Sequence, residues 1–167
     1  TCTSEAIRAR DVMTVDVFCL NEQLDLHECE RMLVEKGISG APVVNDQGDL
    51  TGVLSKTDLV THHFESCEQE GGGDDALRVE GLPGMHVFDY DLPRARDVMN
   101  PIPLTATEFT TLGELAALMV RKEVHRIVIC RDRKVVGIVS PMDLLRAIAT
   151  EPQSAALSGW ADAGFPG

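Results

Sequence analysis

The sequence predicts a mixed α+β fold made of two copies of one strand–helix–strand–strand–helix unit. The main observation is a repeat, because GVLSKTDLV at positions 52–60 returns as GIVSPMDLL at positions 137–145. Self-comparison extends the match, and both copies begin RARDVM, at Arg8 and at Arg94. The second observation is that each copy alternates between short strand-like runs and segments in which apolar residues recur every three or four positions, as they do on one face of a helix. With 167 residues and 44% hydrophobic content, the chain can bury a core.

Each element of the unit is predicted twice. VFCL and IPLTA, which follow the RDVM segments, are rich in strand formers or broken by proline and predict first strands. A helix follows, because apolar residues recur at helical spacing in both copies, at Leu26, Cys29 and Leu33, and at Leu112, Leu115, Ala116 and Met119. APVVN and RIVIC predict buried strands, each joined by a polar turn to LTGVLS or VVGIVS. KTDLVTHHF and PMDLLRAIA predict the final amphipathic helices. One copy alone would leave an apolar sheet face uncovered, so we expect the copies to pack through their sheets.

These patterns divide the chain into four segments. Residues 8–65 form the first copy and residues 94–150 the second. Residues 66–93 are rich in glycine and acid without sustained periodicity, and we expect a linker that is mobile at least through Asp75. Residues 151–167 are small and polar apart from Trp160, and we expect a C-terminal extension. The offset between the copies falls from 86 to 85 residues at a predicted turn, where a length change is tolerated.

The charge distribution argues against nucleic acid as the main partner. The formal net charge is −12, whereas phosphate-backbone binding depends on clustered Lys and Arg. The first copy carries 5 basic and 11 acidic residues, the linker carries 1 and 7, and residues 94–151 carry 9 and 7. Only this last third offers a favourable setting for an anion. A local basic face near Arg131, Arg133 and Lys134 keeps nucleic acid as a weaker alternative.

The sequence predicts a soluble, cytoplasmic protein without a metal. No apolar run reaches the roughly 18 residues that could span a bilayer, and the first residues lack the apolar core of a secretory signal. The cysteines are odd in number and scattered, without a C-x-x-C pair, which favours a reducing compartment: Cys2, Cys19, Cys29, Cys67 and Cys130. HHFESCE at 62–68 contains ligand-type side chains but no zinc spacing, so a solvated helix end is the expectation.

The repeated Ser-x-x-Asp phrase is typical of a helix start. In Ser55-x-x-Asp58 and Ser140-x-x-Asp143, serine occupies the N-cap position and the acid follows three residues later. Pro141 supports this placement, because proline suits the first position of a helix. Capping alone is one complete explanation of the phrase.

The same geometry also suits a nucleotide. A helix N-terminus offers unpaired N–H groups and a partial positive charge to a phosphate, and a serine hydroxyl adds a further donor or acceptor. An aspartate one turn into the helix can accept hydrogen bonds from both hydroxyls of a ribose. Gly52 and Gly137, which precede the two phrases, would allow a ligand to approach the strand closely.

These motifs in this order resemble a tandem pair of CBS domains, the cystathionine-β-synthase type of regulatory repeat that is also called a Bateman module. The resemblance covers about residues 8–65 and 94–150 and is carried by RDVMT, GISGAPVVNDQGDLTGVLSKTDLV and their counterparts. It implies a β-α-β-β-α core for each repeat, packing of the two repeats through their sheets with pseudo-twofold symmetry, and two clefts lined by both repeats. In this family the clefts commonly hold AMP, ADP, ATP or S-adenosylmethionine.

The resemblance also implies a set of nucleotide-binding residues. Asp58 and Asp143 match the acid that binds ribose, and Ser55 and Ser140 match the nearby hydroxyl. The segments before the first strands border the adenine and supply Thr14, Val17, Asn100 and Ile102. The turns that enter the second strands line the base and the phosphate, and they supply Ile38, Ser39, Gly40 and Ala41, and Val124, His125, Arg126 and Ile127. Two further residues lie inside the Ser-x-x-Asp phrases, Thr57 and Met142.

The two copies differ at these positions, so the two sites are not expected to be equivalent. Ser39 and Gly40 of the first copy align with His125 and Arg126 of the second. The second copy therefore has an arginine that can make charge-assisted bonds with phosphate. Structural roles stay open for both, as a hydrogen-bonded histidine and a solvated arginine.

Some candidate side chains have simpler explanations. Met13 and Met99 are expected to fill gaps in the core rather than to bind a cofactor. The sequence offers no set of side chains that suggests an activated nucleophile, so an enzyme is disfavoured.

Two functions follow from these observations. The first is a regulatory module that senses an adenosine nucleotide and acts on a regulated enzyme or transporter, with no obligatory cofactor. The alternative is a structural module that forms homodimers through its amphipathic helices and has no physiological ligand. A homodimer is expected in both cases, since four amphipathic helices leave apolar stripes that a twofold interface can bury.

Overall fold

The computed structural model describes residues 6–69 and 92–150. Its elements are, in chain order, helix α1 (Ala9–Val12), strand β1 (Leu20–Asn21), helix α2 (Leu26–Glu35), strands β2 (Gly40–Val44) and β3 (Leu50–Ser55), helices α3 (Lys56–Gln69) and α4 (Ala95–Val98), strand β4 (Thr105–Ala106), helix α5 (Leu112–Lys122), strands β5 (Ile127–Arg131) and β6 (Lys134–Val139), and helix α6 (Pro141–Thr150). The extension at 151–167 and most of the predicted linker lie outside the described residues. Helix α3 continues to Gln69, so the linker prediction was wrong for residues 66–69.

The elements form two compact units, which we describe separately. The described part of unit 1 comprises residues 6–17 and 104–150, and that of unit 2 comprises residues 18–69 and 92–103. In unit 2 the sheet has the order β1-β2-β3, with β1 parallel and β3 antiparallel to β2. Unit 1 repeats this topology with β4-β5-β6. The predicted mixed α+β class is therefore confirmed, with two three-stranded sheets.

The helices that follow the first strands begin at polar caps. Asp25 accepts the Glu28 amide at 2.9 Å and starts α2. At α5, Glu114 accepts the Thr111 amide at 2.9 Å, and Thr111 in turn accepts the Glu114 amide at 3.4 Å. These reciprocal bonds satisfy amide groups that have no partner inside the helix. Burial of Cys29 in α2 agrees with the predicted apolar face.

The short leading segment of each copy is built into the unit that holds the other copy's sheet. In unit 1, Ala9 donates its amide to the Thr110 carbonyl at 2.8 Å, and Leu112 donates to the Ile7 carbonyl at 2.9 Å. The same pattern appears in unit 2, where the amide of Ala95 donates to the carbonyl of Leu24 at 2.8 Å. Each compact unit therefore combines the sheet of one copy with the RARDVM segment of the other copy. We call these the exchanged segments.

Each exchanged segment ends beside a buried glycine. A Cβ on Gly52 would lie 2.5 Å from Sδ of Met99 and 2.7 Å from the carbonyl oxygen of Asn100. A Cβ on Gly137 would lie 2.8 Å from Cγ of Met13. The prediction that these glycines admit a ligand was wrong, because the methionine of the exchanged segment occupies the space. The expected core role of both methionines is confirmed.

The two cores lie between each sheet and its helices. The core of unit 2 includes Leu20, Leu33, Val43 and Leu54, and Ala95 of the exchanged segment is fully buried with them. The core of unit 1 contains Ala9 in the same role, with side chains from α5, β5, β6 and α6. Among the described residues, no helix combines the length and apolarity that crossing a bilayer requires.

Candidate functional site

The Ser-x-x-Asp phrase of unit 2 caps the N-terminus of α3. The amide of Ser55 donates to Oδ2 of Asp58 at 2.8 Å, and the Ser55 hydroxyl donates to the same oxygen at 2.6 Å. The amide of Asp58 donates back to Ser55 Oγ at 3.3 Å. The predicted capping box is therefore confirmed, and it fixes the carboxylate at the N-terminal turn of the helix.

The phrase of unit 1 adds a basic neighbour. The amide and hydroxyl of Ser140 donate to Oδ2 of Asp143 at 2.8 and 2.7 Å. Oδ1 of Asp143 accepts Nη1 of Arg146 at 3.2 Å. The Asp143 side chain is 11% exposed, while that of Arg146 is 72% exposed. Both carboxylate oxygens thus accept hydrogen bonds, and the charge of Asp143 is partly balanced by an exposed guanidinium.

This geometry limits how either aspartate could bind a ribose. A carboxylate has about four lone-pair sites, and the serine amide and hydroxyl use sites on Oδ2. Two vicinal hydroxyls can therefore share Oδ1, or one of them can replace the serine hydroxyl on Oδ2. At Asp143 the first arrangement requires Arg146 to share Oδ1 or to move, which its exposure permits.

The exchanged segments bring the predicted adenine-side residues next to these phrases. Thr14 pairs with Ile138 by two main-chain bonds of 2.9 and 3.0 Å, two residues before Ser140. Asn100 pairs with Val53 in the same way, at 2.9 and 3.0 Å, two residues before Ser55. The adenine-side residue of each copy therefore lies in the same unit as the Ser-x-x-Asp phrase of the other copy.

Each of the 18 predicted nucleotide-binding residues belongs to one of the two units. Unit 1 contains Thr14, Val17, Val124, His125, Arg126, Ile127, Ser140, Met142 and Asp143, and unit 2 contains Ile38, Ser39, Gly40, Ala41, Ser55, Thr57, Asp58, Asn100 and Ile102.

Exposure separates accessible members of this set from core members. Ile127 is 0% exposed and Ala41 is 1% exposed, so their side chains pack in the cores and are poorly placed to touch a ligand. His125 lies exposed just before β5, and Arg126 beside it is half-buried. Ile102 is 82% exposed, which makes it a surface residue in unit 2.

A pocket of about 560 Å³ adjoins Asp143 in unit 1. One face of α6 supplies Asp143, Arg146, Ala147 and Thr150, and the exchanged segment supplies Ile7, Asp11 and Val12. This volume lies within the range of small-molecule sites. Apart from Asp143, sequence reasoning missed these residues. The three- and four-residue spacing along α6 was a usable signal, but the contribution of α1 depends on the exchange.

Position 147 shows why the units differ here. Ala147 aligns with His62 at the offset of 85 that relates the two phrases. His62 carries a ring nitrogen, Nδ1, that is buried and has no hydrogen-bond partner. Ala147 thus lines the pocket beside Asp143, whereas the matching position of unit 2 carries an imidazole.

Comparison with known proteins assigns the fold to a family. A CBS domain model matches residues 9–65 and 95–150. The chain belongs to the CBS domain family. The predicted resemblance to a tandem CBS pair is therefore confirmed.

Relatives of this CBS pair differ in length. The uncharacterized protein MJ1426 of Methanocaldococcus jannaschii is 28% identical over 156 residues, covering 86% of this chain and 92% of that protein. The uncharacterized protein MJ1225 of the same organism is 23% identical over 142 residues. That match covers 85% of this chain but only 43% of MJ1225.

Solved CBS-pair structures have the same fold. CBSX2 in complex with AMP gives a TM-score of 0.66 at 23% identity, covering 86% of this chain and 96% of that chain; CBSX2 is a protein of Arabidopsis thaliana. The CBS domain pair of MJ0100, in complex with 5'-methylthioadenosine and S-adenosyl-L-methionine, gives 0.66 at 17% identity, with coverages of 86% and 97%.

Proposed function

We propose that the chain is a regulatory CBS pair that senses an adenosine nucleotide and transmits its occupancy to an enzyme or transporter. The observation that carries the proposal is Asp143, which is held by Ser140 at the start of α6 and lines a pocket of about 560 Å³. The AMP complex of CBSX2 and the S-adenosyl-L-methionine complex of MJ0100 support an adenosine compound as the ligand.

Within this proposal, unit 1 is the preferred site for a ligand with several phosphates. The described part of unit 1, residues 6–17 and 104–150, carries 9 basic and 7 acidic residues, whereas that of unit 2, residues 18–69 and 92–103, carries 5 and 11. Arg126 can hold a phosphate through two parallel N–H bonds, while Gly40 at the matching position offers one main-chain amide at most. Ala147 lines the unit 1 pocket, whereas unit 2 carries the larger His62 at the matching position.

Titration calorimetry with AMP, ADP, ATP and S-adenosylmethionine tests the ribose assignment. Asp143→Asn keeps an acceptor for the Ser140 donors and removes the charge, so the cap is perturbed as little as possible. We expect about 1.5 to 3 kcal/mol of lost binding, roughly ten- to a hundredfold in affinity. Asp58→Asn serves as the matched variant in unit 2, and thermal midpoints report on the fold. Full affinity in the double variant would remove the ribose assignment.

The same assay tests the preference for unit 1. Arg126→Ala should weaken ATP and ADP binding more than adenosine binding, and the difference should shrink as salt rises. Gly40→Ala is the matched change at the equivalent position, with Gly40 buried in β2. Two equal sites in the wild type, or an Arg126 variant that binds ATP with unchanged affinity, would contradict the asymmetry.

A structural homodimer is the second candidate, supported by exposed apolar side chains at matching positions. Val34 and Val120 are 69% and 78% exposed near the ends of α2 and α5. Val60 and Leu145 are 53% and 56% exposed on α3 and α6. Such stripes are suited to a twofold interface between two chains.

Light scattering of the wild type and of Val60→Asp with Leu145→Asp tests the homodimer, and the nucleotide titrations then separate the two candidates. The homodimer predicts about twice the 18.2 kDa chain mass for the wild type and loss of the dimer in the double variant. Dimerisation without nucleotide binding would leave the structural role, and a monomeric wild type at micromolar concentration would exclude it.

A further inference from the structure

One arginine contacts the carboxylate that the proposed function assigns to ribose. Nη1 of Arg146 lies 3.2 Å from Oδ1 of Asp143, which precedes it by three positions on α6. The Ser140 amide and hydroxyl donate to the other oxygen, Oδ2, at 2.8 and 2.7 Å. Oδ1 is therefore the oxygen that a ligand can reach without disturbing the helix cap, and a ligand has to compete with Arg146 for it.

The pocket beside this contact contains more negative than positive charge. Of the described residues that line it, Asp11 and Asp143 are acidic and Arg146 alone is basic. The nearest cation to Asp11 in the described ion pairs is Arg10, whose Nε lies 3.9 Å from Oδ1 and which does not line the pocket. An anionic ligand in the pocket would therefore meet two carboxylates, and Arg146 is the lining side chain with which its charge can pair.

The contact between Arg146 and Asp143 can be exchanged at little cost. The Arg146 side chain is 72% exposed, whereas that of Asp143 is 11% exposed. Solvent screens an ion pair with such an exposed member, and pairs three positions apart on a helix contribute little to stability. The two hydroxyls of a ribose can therefore replace the guanidinium on Oδ1. Arg146 then has its N–H donors available for another acceptor in the same pocket.

We propose that Arg146 makes unit 1 selective for phosphorylated adenosine compounds, by leaving the Asp143 carboxylate and binding the phosphate next to the ribose. This inference rests on the proposed function, because it takes Asp143 as the residue that binds ribose. Uncharged adenosine displaces Arg146 and offers it no anion. AMP offers it a phosphate, with which arginine forms two parallel charge-assisted bonds. With AMP bound, both the carboxylate and the guanidinium have partners.

At the matching position, unit 2 carries an uncharged residue. Thr61 aligns with Arg146 at the offset of 85 residues and follows Asp58 by three positions. A threonine hydroxyl neither competes as a cation for the carboxylate nor pairs with a phosphate as a cation. The proposed selectivity is therefore a property of unit 1. The substitution Arg146→Thr gives unit 1 the residue that unit 2 has.

Titration calorimetry with adenosine and AMP tests the selection on the full chain, with Asp58→Asn in each variant and its reference so that unit 2 contributes as little as possible. Arg146→Thr should weaken AMP binding about five- to tenfold, since a charge-assisted bond is lost at an exposed site. The same variant should strengthen adenosine binding about twofold, because the ribose hydroxyls no longer compete with a cation for Oδ1. Arg146→Lys keeps the charge without the two parallel bonds, so its AMP affinity should be intermediate.

Arg121→Thr is the matched control, since it makes the same change at an exposed arginine on α5 that does not line the pocket, and both affinities should stay unchanged. Thermal midpoints without ligand show whether each variant folds. Adenosine and AMP affinities that shift in the same direction in Arg146→Thr, or that do not shift, overturn the inference and leave the proposed function standing. If the wild type binds none of the adenosine compounds, the proposed function is removed and this inference with it.

Discussion

An alanine at position 52 or 137 would compete with a methionine for the same space. Both glycines are buried in the last strand of their sheets, and both face the end of an exchanged RARDVM segment. Around Gly137, the three atoms nearest to an added Cβ all belong to the Met13 side chain. Around Gly52, the carbonyl oxygen of Asn100 joins the Met99 side chain, at 2.7 Å. The two substitutions are chemically identical but meet different obstacles.

The expected cost of each substitution follows from those obstacles. A methionine side chain can adopt another rotamer, so Gly137→Ala should cost about 1 to 3 kcal/mol of unfolding free energy, as overpacking usually does. Gly52→Ala must also displace the Asn100 main chain, which shares two hydrogen bonds of 2.9 and 3.0 Å with Val53. Those bonds contribute about 0.5 to 1.5 kcal/mol each, which raises the expected cost to about 2 to 6 kcal/mol.

Urea denaturation of single and double variants measures this difference. Met13→Ala should offset much of the cost of Gly137→Ala in a double-mutant cycle, because the obstructing atoms are removed. Met99→Ala should offset less of the cost of Gly52→Ala, because the Asn100 oxygen remains. Gly113→Ala is the control, with no atom near its added Cβ and a helical position that favours alanine by up to about 1 kcal/mol. Equal costs at positions 52 and 137, or complete rescue at both, would refute the reasoning.

Three further predictions concern the helices. Glu123 ends α5 with a φ of 52°, where the first copy has Gly37 with a φ of 64°, so Glu123→Gly should raise and Gly37→Ala should lower the unfolding free energy by about 0.5 to 1 kcal/mol in urea titrations. Hydrogen bonds from the Thr111 amide and hydroxyl lower the pKa of Glu114, so the cap contributes stability at neutral pH that is lost as the pH falls through this lowered pKa. Glu114→Gln should flatten that part of the acid dependence of the thermal midpoint, and an unchanged profile would contradict it. Burial, and then the Asp25 carboxylate, raise the pKa of Cys29 to about 11, so its thiol should resist iodoacetamide at pH 8 until the chain unfolds, as peptide mapping would show.

Local patterns predicted most of the fold because they record which face of an element is buried. The spacing of Leu26, Cys29 and Leu33 located α2, and the Ser-x-x-Asp phrases located the starts of α3 and α6. The exchange of leading segments could not be predicted in this way. The two RARDVM segments are identical in sequence, so periodicity and composition contain no signal for the sheet to which each one attaches.

The same limit explains what was missed at the candidate sites. Asp58 and Asp143 were found because a capping box lies within four consecutive residues. Ile7 and Asp11 line the pocket beside Asp143 only because α1 has joined unit 1. His63 contacts Glu30 although the two residues are 33 positions apart, so spacing along the chain contains no signal for this contact. Reasoning from sequence alone was strongest where partners are neighbours in the chain.

The exchanged segments also bear on how such a duplicated chain could arise. The backbone passes from one unit to the other twice in the described residues, after Val17 and after Pro103. A single ancestral copy, folded alone, would have left vacant the place that Ala9 or Ala95 fills in the buried cores. Two separate chains could supply it only by trading their first ten or so residues. Gene duplication would then have turned an exchange between two molecules into an exchange within one chain. A protease cut between residues 70 and 91 would leave two fragments, each of which supplies the leading segment that the other fragment's unit needs.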